Sequence, residues 1–149
     1  MNRRELYQET VDIILDAYNQ KKLIHGNPCR CFIGNIISSR ANCDFYSDNI
    51  NPYWIQALTF HRSKLLAHDA HIFIEEHVKE GMKQIEKSGY TIEEVDRLEH
   101  VFEEEYEKEA FDSQYLGMVA ALNELAKIHE ADPIESVKRL DKIQEEVYV

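Results

Sequence analysis

The chain has 149 residues, 44% hydrophobic and 30% charged, enough to bury the core of one compact domain spanning 1–149 without disulfides. With 28 acidic against 17 basic residues the formal net charge is −11, so the positive footprint that phosphate-backbone binding needs is missing and nucleic acid is not an expected ligand. No run approaches the roughly 18 apolar residues of a membrane span, and Met1-Asn2-Arg3-Arg4-Glu5 leads into an amphipathic segment rather than an export core, so a soluble cytoplasmic protein is expected.

Tyr7, Val11, Ile14, Leu15 and Tyr18 recur at helical spacing, with Glu5, Glu9, Asp12 and Asp16 on other faces, and predict a first amphipathic helix ending before His25-Gly26. Asn27 as cap and Pro28 in the first turn predict a short second helix whose buried face carries Cys29, Phe32, Ile33, Ile36 and Ile37. Ser38 to Asn51 is rich in Ser, Asn and Asp and reads as the longest loop, holding Cys43, Phe45 and Tyr46. Asn51-Pro52 opens a third helix through Trp54, Leu58, Leu65 and Leu66. Helical character continues from Lys64 to Ser88, with polar Ala67-His68-Asp69-Ala70 the stretch where it could break.

Gly89 supplies a stop, and Thr91-Ile92-Glu93-Glu94 forms a capping box before a helix with Val95, Leu98, Val101, Phe102 and Tyr106 on its core face. Asp112 or Ser113 caps the next, through Leu116, Val119, Leu122, Leu125 and Ile128, and Asp132-Pro133 starts the last, with Val137, Leu140, Ile143 and Val147. No segment shows sustained apolar alternation and no hairpin dipeptide occurs, so the expected fold is all-α, with about six helices. The second helix and those carrying Leu98 and Leu122 are expected at its centre.

Metal-capable and nucleophilic side chains crowd into His25-Gly26-Asn27-Pro28-Cys29-Arg30-Cys31, with Cys43 further on. His25, Cys29, Cys31 and Cys43 supply the number of soft ligands that a closed tetrahedral zinc or iron site requires. Their spacing departs from zinc knuckles, because only Arg30 separates Cys29 from Cys31 and residues two apart on a helix face away from each other. The alternatives are that these cysteines pack in the core, or that Cys31 serves a thiol enzyme or redox protein with His25 or His129 as base.

His61, His68 and His71, near Asp69, Glu75 and His77, fit a partly solvated helix face better than a metal site, and neither a His-Glu-x-x-His nor a Glu-x-x-His motif occurs. The segment Gln84 to Val95 carries Gly89 like a calcium loop but lacks carboxylates at its first and last ligand positions. A helix-turn-helix around Gly89-Tyr90-Thr91 fails because its second helix bears Glu93, Glu94, Asp96, Glu99 and Glu103. The run Glu103-Glu104-Glu105 with Glu107 and Glu109 reads as a solvated face, with imitation of a phosphate backbone as the lesser alternative.

His25-Gly26, Cys31, Gly34-Asn35, Trp54, Ile85-Glu86, Gly89-Tyr90-Thr91, Leu98-Glu99, Phe102-Glu103, Leu116-Gly117-Met118 and Ile128-His129 together resemble small uncharacterised bacterial and prophage-type helical proteins. Those share a His-Gly-x-Cys-x-x-Cys-Ala-x-Gly-Asn core, a Gly-Tyr-Thr/Ser turn and a C-terminal Ile-His. Here Pro28 stands where the first cysteine of that core falls, Cys29 comes one residue late, and Phe32 replaces the alanine, which weakens the metal reading. The resemblance carries no activity. Because no complete catalytic constellation is present, the leading expectation is a non-enzymatic interaction or accessory protein whose acidic surface meets a protein partner, and the resemblance implies a prophage-related one. A homodimer is compatible with it, and a small metal-binding protein is the alternative.

Overall fold

A computed structural model describes residues 2–65, 74–106 and 113–131. They form six helices and, among the described residues, no strand: α1 (Arg3–Asn19), α2 (Phe32–Arg40), α3 (Trp54–Leu65), α4 (Glu75–Ser88), α5 (Ile92–Tyr106) and α6 (Ser113–Ile128). The count of six agrees with expectation, but its partition differs. The helical character read from Lys64 to Ser88 belongs to two helices, α3 and α4; the stretch Ala67-His68-Asp69-Ala70, read as a place where it could break, lies outside the described residues, as do His71 and the expected last helix at 132–147. No described helix is long and apolar enough to cross a membrane.

The ends of the helices follow local chemistry. Asn2 caps α1 by accepting the Glu5 amide at 2.8 Å. The capping box opens α5 as the sequence predicts, Thr91 Oγ1 accepting from the Glu94 amide at 3.2 Å and a Glu94 oxygen accepting from the Thr91 amide at 2.9 Å. Gly89 closes α4 at φ 87°, a left-handed conformation that costs a side chain strain. The second helix is the exception. It begins at Phe32 with Cys31 as its cap, so Pro28 and Cys29 lie in a preceding turn rather than on the helix. Asn27 caps that turn instead: its Oδ1 accepts the Cys29 amide at 2.9 Å, and its carbonyl accepts the amides of Arg30 and Cys31 at 3.0 and 2.8 Å.

Short α2 is the hub, touching α1, α4 and α5, while α6 lies along α5 and α3 along α4. Phe32, Ile33, Ile36 and Ile37 are all buried, joined from α1 by Val11, Ile14 and Leu15, from α3 by Trp54 and Leu58, and from α5 by Val95, Leu98 and Phe102. On α6 the expected face is rotated: Met118, Ala121, Leu122, Leu125 and Ala126 are buried, whereas Leu116 is exposed. A buried polar chain ties α1 and α2 to the α4–α5 turn and the end of α6. Arg40 donates to Thr10 Oγ1 at 2.8 Å, the Thr10 and Tyr90 hydroxyls lie 2.8 Å apart, and the Tyr90 hydroxyl meets His129 Nε2 at 2.7 Å.

Candidate functional site

The segment between α1 and α2 sends its reactive side chains in different directions. His25 folds inward: Nε2 lies 2.9 Å from the Phe102 carbonyl, and its ring stacks on Phe102 with centroids 4.2 Å apart. Burial pulls its pKa below the usual histidine value, against the opposing effects of the Glu103 charge and the Phe102 carbonyl. Cys31 is 1% exposed, and its Sγ accepts the Gly34 amide at 3.4 Å as the cap of α2. Cys29 and Cys43 are only partly buried and both line a groove on the other side of the segment.

His25, Cys29, Cys31 and Cys43 therefore do not converge. Among the described residues no three His, Cys, Asp or Glu side chains are grouped to hold a metal ion. The single intervening residue, Arg30, leaves Cys29 toward the groove and Cys31 toward α5. Nor is any of the three thiols activated. Burial is the largest influence on each and pushes all three up, Cys31 most strongly.

Cys31 faces the buried carboxyl group of Glu99. Glu99 is 6% exposed, within hydrogen-bonding reach of the Cys31 thiol, the Ile33 amide and the carboxyl of Glu103 one turn on. Burial first, and the adjacent Glu103 charge second, push its pKa up to about 8, so at neutral pH the pair holds a proton, centred on Glu99. As carboxylates the pair leaves Glu99 Oε2 with no donor. Glu103 in turn accepts the Gly26 amide on both oxygens, at 2.9 and 3.1 Å, and so fixes the chain beside His25. A cavity of about 260 Å³ opens over this pair, bounded by Gly26, Pro28, Trp54 and Ile55, with Arg62 and His100 at its rim.

Comparison of the chain with known protein families, curated proteins and solved structures gives no match. The reading of the site rests on its geometry.

The larger concavity is a groove of about 720 Å³ between α1, the turn before α2, one face of α2 and the loop that follows α2. Five carboxylates line it: Glu9, Asp12 and Asp16 from α1, Asp44 and Asp48 from the loop. Lys22 and Arg30 are the cations among its lining residues. The loop's shape is set by its own acids. Asp44 accepts the Tyr46 amide at 2.8 Å, and Asp48 accepts the Asp44 amide at the same distance. The amides of Tyr46 and Ser47, both donating to Asp44 Oδ1, are the largest influences holding the Asp44 carboxyl below its ordinary pKa. Tyr46 crosses to receive the Asn27 side-chain amide at 2.7 Å, with the Arg30 guanidinium 5.2 Å above its ring, and so joins the loop to the turn before α2.

Proposed function

We propose that the protein is a non-enzymatic interaction protein whose acidic groove receives a basic, extended segment of a protein partner. The observation that carries this reading is the composition of the groove, five carboxylates against two cations on an open concavity of about 720 Å³. A formal net charge of −11 works in the same direction, because like-signed charge over the whole chain draws cationic partners toward a concave acidic surface. Support also comes from the thiols. Their raised pKa values and the structural work done by Cys31 as a helix cap leave the interaction reading ahead of a thiol enzyme.

Fluorescence anisotropy with a labelled lysine- and arginine-rich peptide, on the full chain, tests the reading. Binding is expected to weaken with added salt as rim charges become screened. It is expected to be lost in Glu9→Gln/Asp16→Asn/Asp48→Asn and kept in Glu75→Gln/Glu76→Gln/Glu80→Gln, which removes equal charge from exposed positions of α4. Equal loss in both variants, or no binding by the parent, would contradict it.

A further inference from the structure

Away from the acidic groove, and independent of it, the cavity over Glu99 and Glu103 has a composition that ordinary helix packing does not require. Its floor is a pair of carboxyl groups four residues apart on α5, one of them nine-tenths buried with an oxygen that no donor reaches. An unsatisfied buried carboxylate oxygen is costly, and a like-charged neighbour one turn away adds to that cost. Both costs are relieved by a cation between the two groups. The nearby basic side chains are engaged elsewhere: Arg62 Nε is tied to Asp96 at 2.6 Å, and exposed His100 lies 3.8 Å from Glu104.

We propose that this cavity is a binding site for a primary alkylammonium group, held by Glu99 and Glu103 with its carbon chain against Pro28, Ile55 and Trp54. The donor set selects the ligand. Calcium takes six to eight oxygens and zinc about four ligands, whereas this cavity offers two carboxyls beside Pro28, Trp54 and Ile55, its further polar lining is Asn27, Arg62 and His100, and among the described residues no three His, Cys, Asp or Glu side chains are grouped. A guanidinium would seek two parallel bonds to one carboxylate, but both oxygens of Glu103 already receive the Gly26 amide. A compact ammonium with three freely rotating donors can bridge single lone pairs on the two groups instead.

Binding is proton-linked. The ammonium keeps its own proton, and the proton shared by the carboxyl pair leaves to solvent as the ligand arrives. The groups that face the pair are His25 and Cys31 from the segment before α2, Arg62 from α3 and His100 from α5. The ammonium group could belong to a free amine or to a lysine side chain, and the two sources are separable.

The test is an amide NMR titration of the full chain with n-butylammonium chloride, read at Gly26, whose N–H sits on Glu103. Saturable shifts are expected, with an apparent Kd that tightens nearly tenfold from about pH 6.5 to 7.5 as competition from the shared proton falls. Glu99→Gln, neutral and of the same shape as the protonated acid, is expected to stay folded, weaken binding at least tenfold and abolish the pH dependence. Glu93→Gln, elsewhere on α5, is expected to leave both unchanged. Nα-acetyl-lysine amide binding more tightly than butylammonium assigns the site to a partner's lysine; the reverse assigns it to a free amine, and either supports an ammonium site. Absence of saturable shifts, full binding by folded Glu99→Gln, or saturation by magnesium chloride but not by the amine would overturn the proposal.

Discussion

Glu99 concentrates the chemistry of this chain in one side chain. Four residues after Val95 and three before Phe102, it occupies the stripe of α5 that faces the core, and its carboxyl is buried against Cys31 and Ile33. Its folded pKa is raised, to about 8 from 4.5, so the sign of its effect on stability follows directly. Below 4.5 folded and unfolded chains both carry the proton; as pH rises toward 8 the unfolded chain loses it first, and the folded state steadily loses stability. Beyond the folded pKa the deficit levels off. Glu99→Gln is therefore expected to gain on the parent as pH rises, by a few kcal/mol at pH 8 and by almost nothing near pH 4.5. Urea unfolding at the two pH values checks this, and an equal difference at both would show that the carboxyl ionises freely.

The cysteines give a second prediction at the same scale. With Cys31 at 1% exposure, and Cys29 and Cys43 only partly buried, a disulfide reagent such as Ellman's is expected to titrate two thiols in the native protein and the third only on unfolding. Prompt modification of Cys31 in the folded chain would contradict its placement as a buried cap. Periodicity alone does not reveal that placement. A Cys-x-Cys pair advertises ligands, and the fact that a thiol can cap a helix as serine does is visible only once the helix is seen to start at Phe32.

At the scale of elements, the apolar stripes of α1, α2 and α5 are legible because each has one clear face, and Val11, Ile14, Phe32, Ile36, Leu98 and Phe102 all reach the core as expected. The sixth helix was harder to orient. From Tyr115 to Ile128 its apolar residues encircle the axis, so periodicity does not choose between Leu116 and Met118. The choice is made by Gly117: a Cβ there would lie 2.5 Å from His25 Nε2 and 2.8 Å from the Phe102 carbonyl. Only glycine lets α6 approach that closely, which turns Met118 in and Leu116 out. The same logic governs α2, where a Cβ on Gly34 would run into the Pro28 carbonyl and the backbone of Cys29. Gly34→Ala is expected to cost about 2–3 kcal/mol, because the obstruction is backbone that cannot swing aside. Thr91→Ala, which removes one half of the capping box, is expected to cost about 1 kcal/mol. Thermal unfolding of the two variants ranks them, and a larger loss at Thr91 than at Gly34 would reverse this account of what holds α2 and α5.

Across the whole molecule, the contrast is between a polar interior site and an acidic exterior groove. Sequence order hides both. Glu103 meets the His25–Gly26 segment, and Glu99 meets Cys31 and Ile33, across more than 60 positions, and the groove joins α1 to a loop some 30 residues later, so neither could be read from local spacing. What composition does convey is the sign of the charge, and the groove is where that charge gathers on a concave surface. A basic partner segment seated there would touch α1, the turn at Cys29–Arg30 and the loop at Asp44–Asp48, and leave α4 and α6 untouched. The most direct measurement is an amide NMR map of the labelled full chain titrated with the lysine- and arginine-rich peptide. The account predicts saturable shifts confined to Glu9–Lys22, Cys29–Arg30 and Asn35–Asp48; shifts spread evenly over every acidic surface, or centred on α4, would contradict it.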